Sequence, residues 1–262
     1  MQTITHGKKY LQSNLKETLD KKEKIFIPYV MAGDGGLETL IPTLQRLDRA
    51  GATAIEVGIP FSDPVADGPT IQEAGKRARA AGVTLTSIID ILKQERASIQ
   101  APIIFMTYIN PIFKYGIDRF MKDAQAAGVD GLIIPDLPLE QKILIDSALT
   151  NSGLALIQLV SLTSSKERME RIANASEGFL YAVTVNGITG ARSEFNDHLE
   201  NHFSYLKQVS NVPVLAGFGI STPDHVKQMA SFSDGVVVGS KIIELLQQED
   251  YQAINDMIEA KD

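Results

Sequence analysis

Short runs rich in β-branched and aromatic residues recur along the chain at Ile25–Met31, Thr53–Val57, Ile103–Tyr108, Gly131–Pro135, Ala155–Val160, Phe179–Val185, Val212–Ala216 and Gly235–Val238. Each has the length and flanking turn residues of a buried strand. Between them lie stretches whose apolar residues repeat at helical spacing, among them Leu37–Ala50, Leu85–Ser98, Ile117–Ala127, Glu140–Asn151, Ser165–Ala175 and Pro223–Ala230. Strict alternation of strand and helix implies parallel strands joined by helical crossovers. Eight such units predict an α/β fold, a (β/α)8 barrel, with an additional N-terminal helix near Tyr10–Leu19 lying beneath it. A doubly wound open sheet is the alternative, because the pattern alone does not prove closure. Arg49-Ala-Gly51, Ala80-Ala-Gly82 and Ala126-Ala-Gly128 repeat one punctuation, in which glycine supplies the left-handed residue that ends a helix.

The 262 residues fit a single domain, since barrels of this kind run to about 250 residues. A net charge of -7 argues against nucleic acid or an anionic membrane as partner, so any anionic ligand must be held locally. The N-terminal Met1–Lys24 is polar and lysine-rich, without the apolar core of a secretion signal, which predicts a cytoplasmic protein. The absence of cysteine removes thiolate chemistry and Cys-ligated metals.

Glu56 stands inside an apolar strand, between Ile55 and Val57, and so points to the opposite face from both. A carboxylate there is costly without a purpose. The Gly/Pro-rich loop that follows adds Asp63 and Asp67. Later, Gly217-Phe-Gly219-Ile-Ser221-Thr-Pro223 follows strand seven, and Gly239-Ser240 leads from strand eight straight into a helix. Glycines let the backbone approach an anion, and exposed helix N–H groups attract it, which makes these loops the recurrent phosphate site of the barrel.

No predicted strand carries a lysine for a Schiff base; Lys241 comes nearest but falls in the final helix. The histidines at 6, 198, 202 and 225 lie outside the strands, and Leu199 occupies the place of a zinc protease's glutamate between His198 and His202. Carboxylate acid–base chemistry without metal or cofactor is what remains.

The segment Glu56-Val-Gly-Ile-Pro-Phe-Ser-Asp-Pro-Val-Ala-Asp67-Gly-Pro, with Gly187-Ile-Thr-Gly190, Gly217-Phe-Gly219 and Gly239-Ser240, resembles the tryptophan synthase α subunit family over nearly the whole chain. The resemblance implies retro-aldol cleavage of indole-3-glycerol phosphate to indole and glyceraldehyde 3-phosphate. Glu56 then matches the general acid/base, and Asp67 the carboxylate that accepts the indole N–H. Tyr181 should lie beside Glu56, and Thr189 should bond Asp67 as its loop closes. Gly190, Gly219, Gly239 and Ser240 match phosphate contacts, and Tyr29, Met106 and Ile133 match the indole pocket. Pro60, Asp63 and Asn110 sit in loops that would meet a β subunit in an α2β2 complex, to which indole passes by a tunnel. This subunit is expected to hold no cofactor or metal, pyridoxal phosphate belonging to the β partner. Tyr29 replaces the Phe of several relatives, and Val185-Asn186 departs from a Ser/Arg pattern before the lid. A stand-alone indole-glycerol-phosphate lyase, another phosphate-binding barrel such as a sugar-phosphate isomerase, and a non-catalytic activator of a β partner are the competing readings.

Overall fold

The computed structural model describes residues 6–183, 192–217 and 219–262, with the side chains of 192–198 outside the description. Eight parallel strands close in chain order: β1 (Ile25–Met31), β2 (Ile55–Gly58), β3 (Ile103–Met106), β4 (Gly131–Ile133), β5 (Ala155–Ser161), β6 (Leu180–Val183), β7 (Val214–Gly217) and β8 (Gly235–Val238). β8 pairs with β1 from Ile25↔Gly235 to Pro28↔Val238, which settles barrel against open sheet. The helices are α1 (Lys8–Asp20), α2 (Leu40–Arg49), α3 (Pro69–Ala80), α4 (Leu85–Glu95), α5 (Ile109–Tyr115) and α6 (Ile117–Ala126). They continue with α7 (Asp146–Ser152), α8 (Lys166–Ala175), α9 (Arg192–Val209), α10 (Pro223–Phe232), α11 (Ser240–Gln247) and α12 (Tyr251–Glu259).

The predicted punctuation holds: Gly51, Gly82 and Gly128 have φ of 92°, 76° and 73°, a region other residues adopt only at a cost. Two predicted helices are less regular than their periodicity suggests. The first opens with a 3-10 turn, Leu37–Thr39. The stretch 140–151 breaks into a 3-10 segment, Leu139–Leu144, and α7, because Ile145 leaves helical geometry (φ -122°, ψ -5°) and is buried while Ile143 stays in solvent. Asn110, predicted in a loop, lies instead in the first turn of α5. Pro111 discourages a helical reading, yet in a first turn its missing N–H costs nothing. The cap comes from far along the chain: the Ile109 N–H donates to Asp136 Oδ1 at 2.9 Å.

α1 lies across the N-terminal end of the barrel, as predicted, with Leu11 and Leu15 buried beneath it. It is tied there by Lys8 N–H to the Gly153 carbonyl (2.7 Å) and by Gly7 N–H to Asp130 Oδ1 (2.6 Å). Asp130, just before β4, also accepts from Ile103 N–H at 2.9 Å and from Arg96 Nη2 at 3.0 Å. Arg96 also donates to the carbonyls of Gly128, Ile99 and Ala101. This buried cluster closes the end of the barrel opposite to the site described next.

Candidate active site

β2 carries Glu56 between Ile55 and Val57, which turn outward beneath the helices, so the carboxylate faces the barrel interior. It is 1% exposed and stands level with Tyr29 of β1 and Ile104 of β3. Glu56 lines a cavity of about 260 Å³ at the C-terminal mouth of the barrel, together with Asp67. Burial first, and the charge of Asp67 second, push the Glu56 carboxyl up to about 8. Burial likewise raises Asp67 to about 6, against the pull of a hydrogen bond from the Tyr108 hydroxyl. Glu56 Oε2 and Asp67 Oδ1 are both buried without a hydrogen-bond partner. Two such oxygens on one cavity call for polar groups that the described residues do not supply.

The loop between β2 and α3 is a mount for Asp67. Its N–H bonds the Pro64 carbonyl at 3.1 Å, and its carbonyl accepts from Gln72 Nε2 at 2.8 Å. Gly68 and Pro69 start α3 directly behind it, proline being pre-shaped for the first turn. Ala66 N–H donates to the Tyr108 hydroxyl at 3.1 Å, and the Phe61 ring packs on Tyr108 at 5.4 Å between centroids. The Pro60-Phe-Ser-Asp-Pro64 segment thus serves the carboxylate through Tyr108.

Tyr29 and Tyr181 flank the carboxylates. Burial and the Asp67 and Glu56 charges raise the Tyr29 hydroxyl well above its usual range, and burial with Glu56 does the same for Tyr181. Tyr181 and Glu56 line the same cavity. Each ring lies over a glycine of the next strand: a Cβ on Gly58 would overlap the Tyr29 hydroxyl, and one on Gly217 the Tyr181 ring. Gly217→Ala is expected to swing Tyr181 into the cavity and to lower kcat/KM for the cavity's substrate at least about tenfold while costing roughly 1–3 kcal/mol of stability. Steady-state kinetics and urea unfolding check it, and unchanged kcat/KM would show the ring has another place to go.

The turns after β7 and β8 also bring Gly219, Ser221, Gly239 and Ser240 to the cavity wall. Thr222, rather than Ser221, caps α10, accepting from His225 N–H at 3.2 Å. Gly239 caps α11 without a side-chain acceptor, which leaves that helix's first N–H groups for a ligand. Tyr29, Met106, Ile71 and Leu159 give the remaining wall its apolar character. Ile133 is placed differently from expectation. It shares a register row with Met106 and Ile157, is fully buried, and is not part of the cavity wall.

Pro60 and Asp63 lie in the loop at this same face, and Pro60 joins Asn110 on the wall of a neighbouring cleft of about 820 Å³. Thr189 and Gly190 lie outside the described residues. Tyr108, Ile71, Leu159 and Glu244 escaped sequence reasoning; for Tyr108 the signal was its position just beyond β3, where barrel enzymes keep their functional side chains. Among the described residues no three His, Asp or Glu side chains come together as metal ligands.

A parallel barrel that sets a buried and a half-buried carboxylate on one cavity with the glycine turns after β7 and β8 has the build of an enzyme of the (β/α)8 class. Residues 15–261 match the family described as tryptophan synthase alpha chain. The chain is 50% identical to the tryptophan synthase alpha chain of Oceanobacillus iheyensis over 252 residues, 96% of both chains. The solved alpha subunit of Legionella pneumophila superposes with a TM-score of 0.87 at 34% identity, covering 97% of this chain and 98% of that one. A Mycobacterium tuberculosis tryptophan synthase chain gives 0.85 at 29% identity over 96% and 97%. The chain belongs to the tryptophan synthase alpha chain family, and it is a carbon–carbon lyase that cleaves indole-3-glycerol phosphate.

Proposed function

We propose that Glu56 and Asp67 divide the retro-aldol cleavage between them. Glu56, protonated, delivers its proton to indole C3, which turns the ring into an electron sink. Asp67, ionised, accepts the indole N–H and offsets the positive charge that develops on the ring. The Glu56 carboxylate then takes the proton of the side-chain hydroxyl on the carbon attached to C3. The bond between that carbon and C3 breaks, its electron pair restores the aromatic ring, and indole and glyceraldehyde 3-phosphate separate, with Glu56 protonated again. The observation that carries this reading is that two carboxylate oxygens without a partner among the described residues open on one cavity, whose wall also includes the N-terminus of α11.

Gly219, Gly239 and Ser240 hold the phosphate in this scheme, Tyr181 positions the substrate, and Tyr29 and Met106 flank the indole. The family implies a β-subunit partner. In the proposed assembly two α chains, each a single domain, join two β chains in the cytoplasm. Pro60, Asp63 and Asn110 face the partner, indole passes on to it, and pyridoxal phosphate is held there and not in this chain. No helix among the described residues is long and apolar enough to cross a membrane.

The test is indole release from indole-3-glycerol phosphate against pH, with and without a β subunit. The kcat/KM profile of the chain alone should be bell-shaped, falling below about pH 6 as the dyad takes up a proton at Asp67 and above about pH 8 as Glu56 loses one. Tyr108→Phe removes a bond that favours the Asp67 carboxylate, so the acid limb should move to higher pH. A flat profile between pH 5 and 9 would count against the two roles. A rate that β does not raise would favour a stand-alone lyase.

A further inference from the structure

The wall of the substrate cavity has an unbalanced charge. Among the described residues, beside a Glu56 that burial keeps protonated near neutrality, it carries the carboxylates of Asp67 and Glu244 and one cation, Lys241. A phosphate monoester brings nearly two more negative charges, and a helix N-terminus answers with only about half a positive one. Lys241 follows Ser240 in the first turn of α11, which roots its side chain at the anion end of the cavity. For helix stability alone this is a poor place for a cation, because the helix dipole already puts positive charge there. Its partner is poorly arranged as well. Lys241 Nζ lies 3.5 Å from Glu244 Oε2, in i,i+3 order with the cation N-terminal, and the side chains are 29% and 43% exposed. Such a pair contributes little and separates easily.

We propose that Lys241 is a phosphate-binding residue, which Glu244 holds at the cavity wall and releases to the incoming phosphate. The inference rests on the phosphate-substrate reading above. It explains why a first-turn lysine sits where the helix alone would disfavour it, and how a cavity that already holds Asp67 and Glu244 admits a dianion. Exchange of Glu244 for phosphate also makes the site selective: a neutral or singly charged group gains less from displacing Glu244 than a dianion does.

The experiment titrates inorganic phosphate and, separately, glycerol 3-phosphate into the unaltered chain, Lys241→Met, Lys241→Arg and Glu244→Gln by calorimetry. Indole serves as the phosphate-free control, and indole release is followed in parallel. Lys241→Met should weaken both phosphate ligands and raise KM by about tenfold, the scale of one charge-assisted hydrogen bond, with kcat within about twofold. Lys241→Arg should retain most of the affinity. Glu244→Gln should tighten phosphate by roughly two- to fivefold, since it removes a competitor for Lys241. Indole should bind all four alike. Opposite signs for the two positions, confined to phosphate ligands, are not expected from a purely structural helix pair. Unchanged phosphate affinity in Lys241→Met, or an equal loss for indole, would overturn the inference. Phosphate binding that depends on Lys241 in a chain that releases no indole would remove the lyase reading and leave the anion residue standing.

Discussion

Glu56→Gln should lower indole release by at least about 10²–10⁴-fold, the range typical of general acid–base groups, and should make the protein relatively more stable as pH rises. Both effects come from one cause. The Glu56 carboxyl is held at about 8 in the fold against an ordinary 4.5, mainly by burial. Between those values the native chain keeps a proton that the unfolded chain has lost. Stability therefore falls as pH rises from about 4.5 and levels off above about 8. Glutamine cannot ionise, so the variant escapes that loss. Its stability relative to the unaltered chain should improve by roughly 4–5 kcal/mol between acid and alkaline conditions. Urea unfolding at pH 4.5, 7 and 9 gives the comparison. A stability difference independent of pH would mean that Glu56 is ionised in the fold throughout, and its role as the acid would fall. The prediction separates function from folding: a residue that costs the fold stability as pH rises is the one that the chemistry requires.

The largest loss of stability should come from the opposite end of the barrel. Asp130→Ala leaves the Arg96 guanidinium buried without its counter-charge and strips the acceptor from the Gly7 and Ile103 N–H groups. Burial already works against the Arg96 charge, and Asp130 is the chief group opposing that effect. Breaking a buried pair on one side costs about 3–5 kcal/mol, or a drop in Tm of roughly 10 °C for a chain of this size. Adding Arg96→Met should recover part of the loss, because the uncompensated cation goes with it. KM for indole-3-glycerol phosphate, measured well below the melting transition, should stay the same, since this cluster lies at the N-terminal end of the strands. A fall in Tm under about 2 °C for the single variant would show that water or a rearranged Arg96 replaces the carboxylate.

Much of the site could be read in the sequence because its parts are local. Glu56 announces itself as an acid between two apolar neighbours of a strand, and the Gly239-Ser240 turn is a strand end and a helix start in adjacent residues. Asp67 follows from the Gly/Pro loop and the family resemblance. Tyr108 could not be read in this way. Its link to Asp67 depends on the end of β3 lying beside the loop that follows β2. The α5 helix escaped for a similar reason, since Asp136, 27 residues from Ile109, supplies its cap.

What the sequence by itself determined is the alternation of strand and helix, the count of eight, the inward carboxylate of β2 and the neutral anion turns after β7 and β8. These rest on periodicity and on the conformational needs of glycine and proline, which act over a few residues. Only the tertiary structure decided that β8 pairs with β1, that Met106 reaches the cavity while Ile133 does not, and that Gly58 and Gly217 make room for Tyr29 and Tyr181. It alone also decided that Asp130 gathers Gly7, Arg96 and Ile103. The physical reason is that barrel closure and register fix which strands become neighbours. Burial, and with it the proton affinity of Glu56, is a property of those neighbours and not of the residue.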